Sequence, residues 1–351
     1  MRLPLLAAPA LLFIVAPSPA LADHMGPTGA GTGGGMAVFG PDTLDAGRGA
    51  AGFRLVYTRP EQRSDARLEA LAGQHVHAHN TDYNLLASLG AAYGISHHLT
   101  VSAELPYVRR DRLREGERSH IGGTTVNEVV QLGNVSGIGD VSLLAKYRLT
   151  ESADVGFALV GGIKLPTGST HRRSREGERL ETEHQPGTGS WDPIVGASAG
   201  AKMGAVRITA SALFQRSGRG AQHTRLGNRL QGGIALSHRF GADGHHHDDD
   251  SAAHHNHHHG DELDDHHHDE PAGPSWDAFV ELGGEWEGRQ KIASETERAS
   301  GGAWAYVAPG IRFGLAGWSA GAAVALPLWQ DIRASHPDNR YRAMLSVGRS
   351  F

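Results

Sequence analysis

From Leu99 the chain alternates between apolar and polar positions: Leu99, Val101, Ala103, Leu105 and Tyr107 against His98, Thr100, Ser102 and Glu104. That is the period of a strand with one greasy face. The same phase returns in Val141, Leu143, Ala145, Tyr147 and Leu149 against Asp140, Ser142, Lys146 and Arg148, where Leu144 alone breaks the polar set. It returns again in Val206, Ile208, Ala210, Ala212 and Phe214, and in Trp276, Ala278, Val280, Leu282, Gly284 and Trp286. The second faces of those two carry Arg207, Thr209 and Gln215, and Asp277, Glu281, Glu285 and Glu287. Twelve such segments are predicted: 49–59, 81–94, 98–109, 137–150, 153–166, 190–203, 205–216, 226–240, 275–288, 301–314, 317–329 and 340–351. Most run to about 10 to 14 residues, the length of a strand tilted through a bilayer and longer than the usual 5 or 6 of a soluble sheet. Aromatics collect at their ends (Tyr57, Tyr83, Tyr93, Tyr107, Trp191, Trp276, Trp286, Trp318, Trp329 and Tyr341), as in the interfacial girdles of membrane barrels. The expected fold is all-β, a transmembrane antiparallel β-barrel of about 12 strands, an even number as bacterial single-chain barrels require.

Met1 to Ala22 has one early charge, Arg2, an apolar run from Leu3 to Ala16, and Ala20-Leu21-Ala22 ahead of Asp23. This reads as an N-terminal signal peptide, since the run is short for a membrane helix and Pro9 interrupts it. No later stretch of about 18 apolar residues follows, so only strands could cross a membrane. Connectors alternate in length. Ile95-Ser96-His97, Glu151-Ser152 and Gly204 are tight, whereas 60–80, 110–136, 167–189, 217–225, 289–300 and 330–339 are long. Tight turns face the periplasm in this architecture and long loops face outward. The remaining connector, 241–274, is then the one long segment on the periplasmic side of a bacterial outer membrane. Gly accounts for 48 of the 351 residues, a share that disfavours a helical bundle. Gly26 to Gly40 makes 23–48 a Gly-rich segment, either a periplasmic tail or a plug folded into the barrel formed by 49–351.

The formal charge of −5 conceals a segregation. Asp243 to Glu270 holds ten acids and eleven of the 23 histidines with no Lys or Arg, so the remainder is mildly basic. The tract reads His245, His246, His247, Asp248, Asp249, Asp250, then His254, His255, His257, His258, His259, and finally His266, His267, His268. Imidazoles beside carboxylates suit Zn(II), Ni(II), Co(II) or Cu(II), and with no cysteine in the chain a Cu(I) site is disfavoured. With little to bury, the tract reads as a disordered chelator rather than a fixed centre, or as a tolerated insertion or proton buffer. Upstream, His75, His77 and His79 alternate and share one face expected at the outer rim, where three imidazoles could hold metal at the entrance.

Lumen-facing candidates are Arg54, Asp82, Glu104, Asp140, Lys146, Arg148, Lys164, Lys202, Arg207, Arg229, Asp277, Glu281, Glu285 and Arg312. Twelve strands fall between barrels filled by side chains and wide porins, so a narrow polar pore and a plugged interior both stay open. Two outer loops repeat Arg-Glu-Gly-Glu-Arg, at 114–118 and 175–179, and their guanidinium groups could pair with phosphates of outer-leaflet lipid and lipopolysaccharide. No Walker motif, no G-x-S-x-G and no H-E-x-x-H occurs, and no spacing nominates a catalytic triad. Neither an enzyme nor a nucleic-acid partner is expected.

Gly137-Ile138-Gly139-Asp140 opens one strand, Gly162-Ile163-Lys164-Leu165-Pro166-Thr167-Gly168 closes the next, and Gly189-Ser190-Trp191-Asp192-Pro193 and Gly227-Asn228-Arg229-Leu230 follow. Over most of 48–351 this resembles the family of outer-membrane barrels linked to the meta-cleavage pathway of phenol degradation. The resemblance implies an outer-membrane transporter, without fixing phenol as cargo. The histidine tract departs from that family's short turn, which makes metal a competing cargo. Tyr341, Ala343, Leu345, Val347 and Phe351 alternate to a C-terminal phenylalanine, similar to the strand by which barrel-assembly machinery recognises its clients, although Arg349 stands where an apolar residue is expected. The expected function is an outer-membrane channel for a small solute or metal ion with a metal-binding periplasmic segment. A non-conducting barrel that anchors a metal-sequestering segment is the alternative.

Overall fold

The structure is a computed structural model that describes residues 36–150, 152, 154–241 and 274–351. The expected signal peptide and the tract from His245 to His268 lie outside the described residues. Twelve antiparallel strands form the wall: β1 Gly49–Pro60, β2 Tyr83–Ser96, β3 Leu99–Ile121, β4 Ser142–Arg148, β5 Val155–Lys164 and β6 Asp192–Met203, then β7 Val206–Gln215, β8 Arg229–Gly241, β9 Ser275–Glu287, β10 Gly302–Leu315, β11 Trp318–Ile332 and β12 Asn339–Ser350. Each pairs with its neighbour in sequence, and β1 pairs β12 from Ala50↔Ser350 to Pro60↔Asn339. The ring is therefore closed, a 12-strand barrel with no free edge.

Closure is what hydrocarbon demands, because unsatisfied backbone groups there cost several kcal/mol each. The alternation read from the sequence sorts the faces. Leu99, Val101, Leu105 and Tyr107 point outward while Thr100 and Glu104 are buried within. Leu159, Val195, Leu236, Leu282, Ile311 and Leu345 are exposed on the outer wall, a belt that only lipid can cover. Tyr57 stacks on Tyr83 with centroids 5.3 Å apart and lies 6.1 Å from Tyr341 at one rim, and Trp276 meets Phe313 at 4.7 Å at the other. Arg349 sits in this outer face opposite Trp318 in the ladder, its guanidinium 5.3 Å from the Trp318 ring centroid. A cation held on an interfacial indole accounts for its place in an apolar series.

The turns after β2, β6 and β10 span two residues each, whereas the one expected at Glu151-Ser152 lies in a longer connector between Arg148 and Val155. Ala316 and Gly317 turn at φ 48° and 79°, the left-handed pair that a two-residue hairpin requires. The long side differs from the sequence expectation. Instead of a loop at 110–136, β3 runs on to Ile121 and returns through a strand, Thr124–Ile138, forming a hairpin that stands above the wall. Neither face of this hairpin meets lipid; one packs on loop residues such as Leu68, Leu71 and Leu180, so the greasy period that marks the wall strands is missing from its sequence. The first outer connector contains helix α1, Asp65–Gly73, capped by Ser64 Oγ accepting from Arg67 N at 3.2 Å. Its Leu68 and Leu71 pack with Ala78 against Val129 of the hairpin and Ala334. Among the described residues no helix is long and apolar enough to cross a membrane.

Leu282, 56 % exposed near the middle of β9, should lie at mid-bilayer depth. Leu282→Arg is expected to lower unfolding free energy in lipid vesicles by about 2–4 kcal/mol. A loss below about 0.5 kcal/mol, ordinary for a solvated surface, would contradict a lipid-facing belt.

Candidate functional site

Residues 36–44 run inside the barrel, and Asp45 and Ala46 emerge exposed at its end. Glu281 of β9 accepts from the backbone N–H groups of Ala37 at 3.0 Å and Val38 at 3.2 Å, and Ser211 Oγ of β7 accepts from Phe39 N at 3.2 Å. Lys146 Nζ donates to Gly40 O at 3.2 Å, and Arg207 pairs with Asp42 at 2.7 Å. Near the periplasmic end Thr100 Oγ1 accepts from Leu44 N at 2.8 Å and Thr43 Oγ1 donates to His97 O at 2.6 Å. Strand residues thus satisfy the backbone of an extended segment that has no strand partner along most of its length. Two apolar clusters hold its side chains. Met36 packs with Val56, Leu86, Val108, Phe279, Trp304, Tyr306 and Met344, and Phe39 packs on Leu144, Val160, Ile194 and Leu213. Leu144 breaks the polar face of β4 because Phe39 covers it.

The sequence-expected lumen residues fall into distinct settings. Arg54, buried on β1, interacts electrostatically with Glu104 and Glu281. Glu285 forms an ion pair with Arg342, whose guanidinium lies 4.5 Å from the Trp304 ring centroid. Arg229 reaches Glu287 at 3.4 Å, Asp277 accepts two bonds from Arg239, and Arg312 lies 5.7 Å from the Phe279 ring centroid. Arg148 donates to Ser152 O at 2.6 Å in a periplasmic turn, and Lys202 is exposed at that end. Asp82 pairs instead with Arg112 at the outer rim.

Lys164, Asp140 and Asp192 form a separate, fully buried knot where β5 and β6 meet the outer loops. Lys164 Nζ lies 2.7 Å from Asp140 Oδ2 and 3.0 Å from Asp192 Oδ2. Asp140 also accepts from Thr188 N at 2.8 Å and Gly168 N at 2.9 Å, and Asp192 from Gly218 N and Gln215 Nε2, both at 2.8 Å. A Cβ on Gly168 would stand 2.6 Å from Gly187 Cα, so the two loop strands meet only as glycines. The motifs that carry the family resemblance therefore converge in space, and each carboxylate is bonded to a loop.

A second polar cluster closes the outer mouth. His75, His77 and His79 do not share a site. His75 meets Arg118 at 2.9 Å, and His77 is exposed beside Glu115 at 3.7 Å. His79 turns inward, buried against His184 and His336 in edge contacts at 4.6 and 4.4 Å. The backbone passes through φ 60° at His75, which breaks the alternation that would have aligned them. Burial, with His336 and His184 adding to it, holds His79 well below the usual histidine range, and burial pushes His336 down to about 3. Burial opposes charge on His184 too, but Glu115, Glu183 and Glu181 outweigh it and raise that imidazole. Glu115, Glu181, Glu183, His184 and His336 were not singled out in the sequence; the nearest signal was Glu181-Thr182-Glu183-His184 itself. Among the described residues two groups have metal-ligand geometry, His79 with Glu183 and His184, and Glu115 with Glu181 and His184. Three of the four guanidiniums of the repeated Arg-Glu-Gly-Glu-Arg strings are engaged within the loops: Arg114 with Asp65, Arg118 with Gly73 O at 3.1 Å, and Arg179 with Thr170 O at 2.7 Å.

No protein-family model matches the chain, and no curated protein matches it by sequence. Among solved structures, the crystal structure of an outer-membrane channel from Pseudomonas putida F1 is 16 % identical, covering 88 % of this chain and 97 % of that one, with a TM-score of 0.53. LpxR from Salmonella typhimurium (10 % identity, 85 % of this chain, 99 % of that one) scores 0.41, and the CymD monoaromatic hydrocarbon channel (9 %, 88 % of each) scores 0.37. The first likeness carries the fold, and with the lipid-facing belt it makes this protein a bacterial outer-membrane β-barrel. It extends the sequence resemblance as far as the barrel, with no family assigned.

Lys164→Met would leave Asp140 and Asp192 facing each other without their cation. The expected loss is about 3–5 kcal/mol, the cost of breaking one partner out of a buried ion pair, read from the guanidinium unfolding midpoint. An unchanged midpoint would contradict a structural role for the knot.

Proposed function

We propose that the protein is an outer-membrane channel for small hydrophobic or aromatic solutes, gated by its own residues 36–46, rather than an enzyme. The supporting observation is the interior lining. Met36 and Phe39 occupy two apolar clusters within a wall that also bears charges, whereas a water-filled porin lumen is polar. A small solute that displaced these side chains would find the same apolar contacts. The charged residues Glu281, Lys146 and Arg207 hold the segment by its backbone and by Asp42, and those bonds can be exchanged for water when it leaves. The fold likeness to a protein described as a channel favours the same reading.

Outer-leaflet lipid and lipopolysaccharide around the belt, and barrel-assembly machinery acting on the strand that ends in Phe351, belong to this proposal. So does divalent metal binding by the tract 245–268, on ligand chemistry alone. The tract and the lumen act independently in this reading, and a non-conducting anchor remains the rival.

In planar bilayers the full chain is expected to show rare openings, and Glu281→Gln, which weakens the anchor on Ala37 and Val38, to raise open probability several-fold. Uptake of a small aromatic solute into proteoliposomes should rise with it. Silence of both proteins would favour the anchor. Deleting 242–273 is expected to lower zinc capacity while leaving conductance unchanged, and an unchanged capacity would remove the tract as the main chelator.

A further inference from the structure

His79 and His184 each bury a ring nitrogen that bonds to nothing: Nδ1 of His79 and Nε2 of His184 have no hydrogen-bond partner. Both side chains are more than nine-tenths buried. Buried polar atoms are nearly always satisfied, so two neighbouring orphans call for an explanation. Both nitrogens stand 3.8 Å from the same atom, Glu183 Oε1, too far for a hydrogen bond, and all three atoms lie within 4.8 Å of one another. A cavity of about 50 Å³ is lined by these residues and His336, room for an ion with a water molecule.

The donor set fits one class of ligand. Two imidazoles and a carboxylate, with no thiolate, suit zinc and its first-row neighbours, whereas calcium and magnesium prefer oxygen-only shells. Donors about 2.0 Å from a tetrahedral ion stand roughly 3.3 Å apart, so the two 3.8 Å separations to Glu183 Oε1 need to close by about half an ångström, and the separation between the two ring nitrogens, within 4.8 Å, must close as well. Glu115 Oε2, 3.6 Å from His184 Nε2, adds negative charge beside the site.

We propose that His79, Glu183 and His184 form a site for a divalent transition-metal ion of the zinc class, which ties the connector between β1 and β2 to the one between β5 and β6 across the barrel mouth. The site is separate from the histidine tract and does not depend on whether the lumen conducts. Its ligands come from two loops 104 positions apart in sequence, as counted from His79 to Glu183, so binding would brace the mouth as a cross-link does.

The test is anomalous diffraction at the zinc edge from crystals of the full chain grown with Zn(II). One peak is expected about 2.0–2.2 Å from His79 Nδ1, Glu183 Oε1 and His184 Nε2. His184→Gln and Glu183→Gln, with folding checked by heat-modifiable gel mobility, should abolish it. In a titration against a chromophoric chelator, made on the protein lacking 242–273 so that the histidine tract does not contribute, each variant should weaken one zinc equivalent per barrel by at least tenfold. The absence of a peak at the cluster in the unsubstituted protein overturns the proposal, as does a peak at the cluster that persists in both variants.

Discussion

Lipid offers no hydrogen bonds, and that single constraint organises the molecule. Every backbone N–H and C=O within the hydrocarbon must find its partner inside the chain, which twelve strands achieve only by joining β12 back to β1. Once the ladder closes, each strand has one face for lipid and one for the interior. The greasy alternate positions, the aromatic rims and the short periplasmic turns follow from that division. The interior face then becomes a problem of its own, since a barrel of this size encloses more space than its wall residues fill. Residues 36–44 fill part of it, and the outer loops roof it.

The two ends of the barrel are finished by different chemistry. Toward the periplasm the inserted segment is held by single hydrogen bonds that it donates to Thr100 Oγ1 and His97 O, at least partly open to water and easily exchanged. Toward the outside the wall is tied to its loops by the buried Lys164, Asp140 and Asp192 knot, and the mouth by packed histidines and glutamates. Breaking buried charge pairs costs several kcal/mol, whereas exchanging a solvated hydrogen bond costs about 1 kcal/mol or less. The outer cap is therefore the rigid end and the N-terminal segment the yielding one, which is the asymmetry a gate needs.

How much of this was legible in the sequence depends on what each residue faces. Wall strands were readable because lipid enforces period two, and β9 was placed to within a residue at each end. Leu144 carried a readable signal as well: an apolar residue on a polar face meant something apolar inside, and that something is Phe39. The hairpin 110–136 was not readable as strand, since neither of its faces meets lipid. The His79 and His184 cluster was invisible for a different reason. Its members come from separate loops, and no local spacing records which loops meet above the barrel. The tract at 245–268, by contrast, is conspicuous in sequence and lies outside the described residues.

The chain has no cysteine, so a single engineered pair can lock the inserted segment to the wall. Phe39 N lies 3.2 Å from Ser211 Oγ, which makes Phe39→Cys with Ser211→Cys the natural pair. Single-channel conductance of this double variant, recorded before and after oxidation and again after reduction, bears most directly on the proposed gating by residues 36–46. The expected result is openings in the reduced protein, silence once the disulfide forms, and recovery on reduction. Openings of unchanged size and frequency in the fully cross-linked protein would contradict it, because solute would then pass without the segment moving.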